Sequence, residues 1–122
     1  MKPLRFLATA VAAATIAGDA AASGFSQVTE RSDFVALVEG KQLARFGIRL
    51  DVMPEGQIGG RAFGRDVSGA WTWEGGYFCR DLFFGGRDLG PNCQVVQIDG
   101  RTIRFVADRG TGDHADFRLD QP

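Results

Sequence analysis

A chain of 122 residues with 14 basic and 15 acidic side chains has room for one small domain and is close to neutral. A net charge of −1, with no clustered basic excess, excludes the electrostatic footprint of a nucleic-acid binder. Of the basic residues only Lys2 and Lys41 are lysines, and the arginines alternate with aspartates (Arg65-Asp66, Arg80-Asp81, Arg87-Asp88), the pattern of a mixed, solvated surface.

The chain begins with an address label. Lys2 and Arg5 form a short positive region, residues 4–17 are almost wholly apolar, and Ala20, Ala21 and Ala22 supply the small side chains a signal peptidase accepts before Ser23. Residues 1–22 are therefore expected to be a signal peptide, residues 23–122 a single domain, and the protein periplasmic or secreted. The apolar run is shorter than the roughly 20 residues of a membrane span, so no stable span is expected after leader cleavage; an uncleaved anchor is the alternative. Removing Lys2, Arg5 and Asp19 leaves twelve basic residues against fourteen acidic ones, a net charge near −2.

After a polar lead-in, a short helix is expected before Gly40. Thr29 or Ser32 is placed to cap it, Glu30 and Asp33 favour its positive end, and Phe34, Leu37 and Val38 share one face. One apolar stripe must dock on something to persist, and it is expected to close one end of the β-structure. From residue 43 the period becomes two. Phe46, Ile48, Leu50 and Val52 alternate with polar or small residues, which predicts one half-buried strand over 45–52. Pro54-Glu55-Gly56 turns the chain into a strand over 57–63, whose Gly59-Gly60 pair suggests a bulge or sharp coil.

Residues 69–94 carry both tryptophans, the single tyrosine and both cysteines, and the rest of the chain is organised around them. A strand over 67–74 puts Trp71 and Trp73 on one face. Gly75-Gly76 leads into 77–84, where Phe78, Leu82 and Phe84 oppose Tyr77, Cys79 and Phe83. A loop is expected over 85–92, then a strand over 93–98. Asp99-Gly100 signals a hairpin into 101–107, with Ile103, Phe105 and Ala107 inward. Residues 110–113 turn into a last strand over 115–119 with Phe117 and Leu119 inward. The sum is a mainly all-β domain: a small antiparallel meander barrel or half-barrel of about seven strands with one N-terminal helix, since no helices lie between strands to make parallel crossovers. Compared with an eight-stranded lipocalin-like cup, its short strands and large aromatics imply an interior mostly filled by side chains and a shallow pocket.

In an oxidising compartment Cys79 and Cys93, the only two cysteines, are most simply a disulfide. No metal site is expected, because the one histidine, His114, has no partner set and the acids Asp108, Asp113 and Asp116 lack the order of an EF-hand. No cofactor is expected either. Residues 110–115 fit G-x-G-x-x-A on paper, but no βαβ unit surrounds them, and the motif works only at the start of such a unit. Glu74 and Asp81 each have an arginine nearby and read as surface. Arg80, set in an aromatic strand, is a candidate for stacking on a ring or binding an anion. Trp71, Trp73, Tyr77, Phe83 and Phe84 are either core or, where exposed, the chain's best contact patch.

The runs Gly69-Ala70-Trp71-Thr72-Trp73, Tyr77-Phe78-Cys79-Arg80 and Pro91-Asn92-Cys93-Gln94 resemble a group of small exported bacterial proteins sharing a G-x-W-x-W…YFCR…PNCQ pattern over nearly the whole mature chain. Some members are labelled dihydrodipicolinate reductase, which would imply a two-domain Rossmann enzyme using NAD(P)H. The residues themselves favour a non-catalytic module that binds a protein, an envelope component or a small ligand through the aromatic hairpin. The alternatives are a small enzyme acting on an anionic substrate near Arg80, and an inhibitory or structural protein presenting the 85–92 loop from the disulfide.

Overall fold

Alternating apolar residues and closely spaced glycine turns build a closed β-barrel. The computed structural model describes residues 24–122; the expected leader and its cleavage site lie outside them. The elements are β1 (Ser26–Val28), α1 (Arg31–Val38), β2 (Gln42–Arg45), β3 (Ile48–Val52), β4 (Gln57–Ala62), β5 (Arg65–Glu74), β6 (Tyr77–Phe84), β7 (Arg87–Asp99), β8 (Thr102–Val106), α2 (Ala107–Gly110) and β9 (His114–Asp120). Strands β2 to β9 form an antiparallel meander that the β2–β9 ladder closes into an eight-stranded barrel. β1 is a ninth strand, paired with Val96–Ile98 of β7, just past Gln94, where β6 stops pairing. Closure satisfies both edges of the sheet, which an open meander would leave exposed.

Inside the barrel Leu43, Val52, Ile58, Trp71, Phe78, Val96, Ile103, Phe105 and Leu119 are all buried. α1 plugs one end. Its Phe34 is fully buried, with ring centroids 5.2, 5.0, 5.1 and 6.4 Å from those of Trp71, Trp73, Phe78 and Phe105. Both indoles find acceptors at this end: Trp71 Nε1 donates to the Met53 carbonyl at 2.9 Å and Trp73 Nε1 to that of Thr29 at 3.0 Å. Arg31 of α1 donates to the Pro54 carbonyl, so the β3–β4 and β5–β6 turns lie on the helix side. In an up-and-down barrel the alternate tips, 46–47, 63–64 and 85–86, and the longer β8–β9 connection over 107–113 then lie at the opposite end.

Several expectations need correction. The strand predicted over 45–52 is a hairpin: β2 and β3 pair Arg45 with Ile48 across a tip where Gly47 takes φ 74°. Phe46, expected inward, is on that tip and 91% exposed. With β1 this raises the strand count from about seven to nine. Neither Thr29 nor Ser32 caps α1; Glu30 holds the N-cap position without a side-chain bond, and the Thr29 carbonyl serves Trp73 instead. Gly59-Gly60 makes no bulge. The β3–β4 and β4–β5 registers run straight through it, and a Cβ at Gly60 would collide with the Arg49 carbonyl, so the residue is there for close strand approach. The irregularity lies instead between Leu82 and Phe83. The expected 85–92 loop is a two-residue turn followed by the first half of β7. Ala107 does not end β8 but begins α2, a tight segment in which Asp108 and Arg109 take left-handed φ of 55° and 54°. The Asn92 side chain holds that segment, donating to Asp108 Oδ1 at 2.7 Å and accepting from the Asp108 amide at 3.1 Å.

On the outer face Arg104 and Asp116, opposite one another on β8 and β9, form a two-pronged ion pair at 2.7 and 3.0 Å. Its hydrogen bonds hold the Asp116 carboxyl below its ordinary value of 3.8, and Arg118 does the same to Asp120. A carboxylate depressed in the folded state contributes stability that is complete above the unfolded value and disappears as pH falls through the folded one. Asp116→Asn should therefore lower the melting temperature slightly at neutral pH, and the gap to wild type should close below pH 3.8. Equal gaps at both ends of a melting series would show that the pair does not act through its charge.

Candidate functional site

Strand alternation decides which side chains of the central hairpin reach the interior. In the β5–β6 register Trp71 opposes Arg80 and Trp73 opposes Phe78, so this set faces inward, with Gly69 and Leu82 one step further from α1. Beyond Phe34 a cavity of about 260 Å³ opens. Leu50, Ile58, Phe78, Leu82, Phe105 and Phe117 form most of its wall, and its polar lining comes from Arg80, Gln94, Asp113 and His114. The interior, expected to be mostly filled with a shallow pocket, thus keeps a space just below the usual range of about 300–1,000 Å³ for ligand pockets.

Arg80 is the one arginine in that space, which Asp113 also lines. Its Nη1 donates to the Gly90 carbonyl at 2.8 Å, and it belongs to none of the ion pairs among the described residues. Desolvation against the apolar wall pulls its pKa below the ordinary arginine value, and the neighbouring Asp81, on the other face of β6, only partly counters this. A guanidinium has five N–H donors and stays charged in proteins. With one donor spent on a carbonyl, this one retains capacity for an anion. Neither tryptophan nor Tyr77 stacks on it; Arg31 lies 5.1 Å from the Trp71 ring and Arg109 5.5 Å from that of Tyr77.

The other sequence-predicted contact residues are divided between the two faces. Trp71 is buried, Trp73 is half-buried, and both pack on Phe34. Phe84, on the inward face, is half-buried with the Arg65 guanidinium 5.8 Å from its ring. Tyr77 and Phe83 face outward, Phe83 on the exposed side near the β6–β7 tip. Cys79 and Cys93 are direct partners in the β6–β7 ladder, Cα atoms 3.9 Å apart, and form the expected disulfide; no free cysteine occurs among the described residues. Gln94 and Phe117 were not picked out as site residues from the sequence. The parity of β7 relative to Cys93 carries the signal for Gln94, since a disulfide on the outer face sends its neighbour inward.

The fold and site together define a small eight-stranded up-and-down barrel, plugged by a helix at one end and hollow toward the other. Comparison with protein-family models, with curated proteins and with solved structures returned no match. All its ladders are antiparallel, so the βαβ unit that the reductase label would require is absent from the described residues. No helix among them is long and apolar enough to cross a membrane.

Proposed function

We propose that this is an exported, non-catalytic binding module whose barrel interior takes a small apolar molecule carrying one anionic group. One observation carries the reading: a mainly apolar cavity of about 260 Å³, lined also by Asp113, with a single arginine in its wall that forms no ion pair among the described residues. Burying a charge next to carbon costs free energy. A ligand anion would offset that cost, while the apolar remainder of the ligand would fill space that now lacks packing contacts. The disulfide fits an oxidising compartment, as expected of a protein with a leader.

Calorimetric titration with octanoate and with octanol tests this. Octanoate should bind saturably and more tightly than octanol. Arg80→Leu should reverse that preference and leave the melting temperature unchanged or raised, because an isolated half-buried charge is replaced by a side chain the wall accommodates. Saturable binding of neither compound would end the cavity reading. Equal binding of both would remove the anion from it.

A further inference from the structure

Three of the four strand connections at the barrel end away from α1 carry a Phe-Gly dipeptide at or beside the turn, Phe46-Gly47, Phe63-Gly64 and Phe84-Gly85; the fourth is the longer β8–β9 connection over 107–113. The tips touch. The Phe63 amide donates to the Gly47 carbonyl at 2.8 Å and the Gly85 amide to that of Asp66 at 2.7 Å, and the rings of Phe46 and Phe63 lie 6.5 Å apart. Yet these two rings are 91% and 65% exposed. Phe63 also has the wrong backbone for its side chain. Its two-residue turn has φ of 50° and 81°, the geometry that glycine or asparagine meets at least cost. The comparable β5–β6 and β6–β7 turns use Gly75-Gly76 and Gly85-Gly86. A bulky ring held in a strained position, mostly in water with one edge against Gly47, gains little packing for its strain and calls for another explanation.

Arginines line the surface around these tips. One open groove beside them is lined by Arg45, Arg49, Arg61 and Arg118, the other by Arg61 and Arg65 with the backbone of Gly85-Gly86. The acids in these grooves are Asp51 and Asp66; Asp66 is already paired with Arg61 at 2.6 Å, and Arg118 is paired with Asp120 at 2.7 Å. Arg45, Arg49 and Arg65 join no ion pair among the described residues. These two grooves are therefore locally positive in a chain whose net charge is −1, while the β8–β9 connection at the same end carries Asp108, Arg109 and Asp113.

We propose that the Phe46–Phe63 end docks on an anionic lipid surface, the rings entering the boundary between headgroups and acyl chains and the arginines meeting phosphates. Projecting rings with open cationic grooves on either side suit mobile headgroups. A protein partner of ordinary interface size would instead need about 800 Å² of complementary, well-packed surface. The proposal does not depend on the interior cavity.

Flotation of the full chain with phosphatidylcholine vesicles, with and without phosphatidylglycerol, tests it; every variant carries the same N-terminal segment, so that segment's own affinity cancels. Wild type should float with the anionic vesicles and lose affinity as salt is raised. Phe63→Asn should melt at the same or a higher temperature, because asparagine tolerates the left-handed turn, yet partition about tenfold less. Phe46→Ser should do likewise from a position with no backbone constraint. In Phe46→Trp, the indole at the tip should be quenched by brominated phosphatidylglycerol, which reports insertion of the tip itself. Equal flotation of wild type, Phe63→Asn and Phe46→Ser overturns the proposal, as does an unquenched tip. So would capture of an acidic protein by wild type, lost in both variants, with vesicles left unbound.

Discussion

Phe34→Ala should destabilise the protein by about 3–5 kcal/mol, the usual range for emptying a buried phenylalanine site. A domain of this size has roughly 5–15 kcal/mol in total, so the variant should be close to unfolding at room temperature. Phe34 is fully buried and touches four aromatic rings contributed by β5, β6 and β8. It is also the main anchor of α1, an eight-residue helix with no side-chain N-cap. Such a helix is too short to persist alone in water. Truncating the ring therefore removes the plug as well as leaving a hole, and the surrounding barrel, tied by its own ladders, can collapse onto the space only in part. Urea unfolding followed by tryptophan fluorescence measures the loss, since Trp71 and Trp73 border Phe34 directly. Phe34→Leu should recover most of it. A loss below about 1 kcal/mol for the alanine variant would mean that the helix is dispensable and the barrel holds its shape without it.

Removing the disulfide is the second large effect. Cys79→Ala with Cys93→Ala should lower stability by about 3 kcal/mol in the chain-entropy picture, for a sequence separation of 14. Because the two residues are already direct partners in a continuous ladder, the folded state needs no rearrangement when the bridge goes. The unfolded chain gains freedom instead, so the native far-ultraviolet spectrum should be retained while the denaturant midpoint falls. The unmodified protein should react with no thiol reagent until it is reduced. Two reactive thiols in protein purified without reductant would show that the bridge does not form.

Much of the barrel was legible from residue patterns, because β5, β8 and β9 each alternate between two turn signals, while β6, with large apolar residues on both faces, was bounded by its glycine turns. The misreadings have local physical causes. Across a two-residue hairpin the phase of alternation shifts: Leu43 and Arg45 share the inner face with Ile48, Leu50 and Val52, so Phe46 carries the phase of β3 without its burial. Reading through Gly47 fused two strands into one. The first half of β7 was mistaken for a loop because Gly90 and Pro91 lower strand propensity. Pro91 is tolerated because β8 pairs only with Val95–Asp99, which leaves the second edge of β7 without a strand neighbour along that half. The site was harder to see. Arg80 stood out for its aromatic surroundings, but its inward direction follows from a register linking four strands, and the cavity exists because the side chains facing Leu82 and Phe117 fall short of meeting. Alternation shows which face a residue takes; it does not show how far the opposing wall stands away.

Seven of the nine ladders join strands that follow one another along the chain, whereas β1–β7 and β2–β9 join distant stretches. Hairpins form within microseconds, but the entropy of bringing remote segments together has to be met before their contacts repay it. Refolding speed should accordingly be governed by the meeting of Gln42–Ala44 with Arg118–Asp120. Until those residues meet, the second and ninth strands each present an unpaired rim to other molecules, so the yield of native protein should fall as refolding concentration rises.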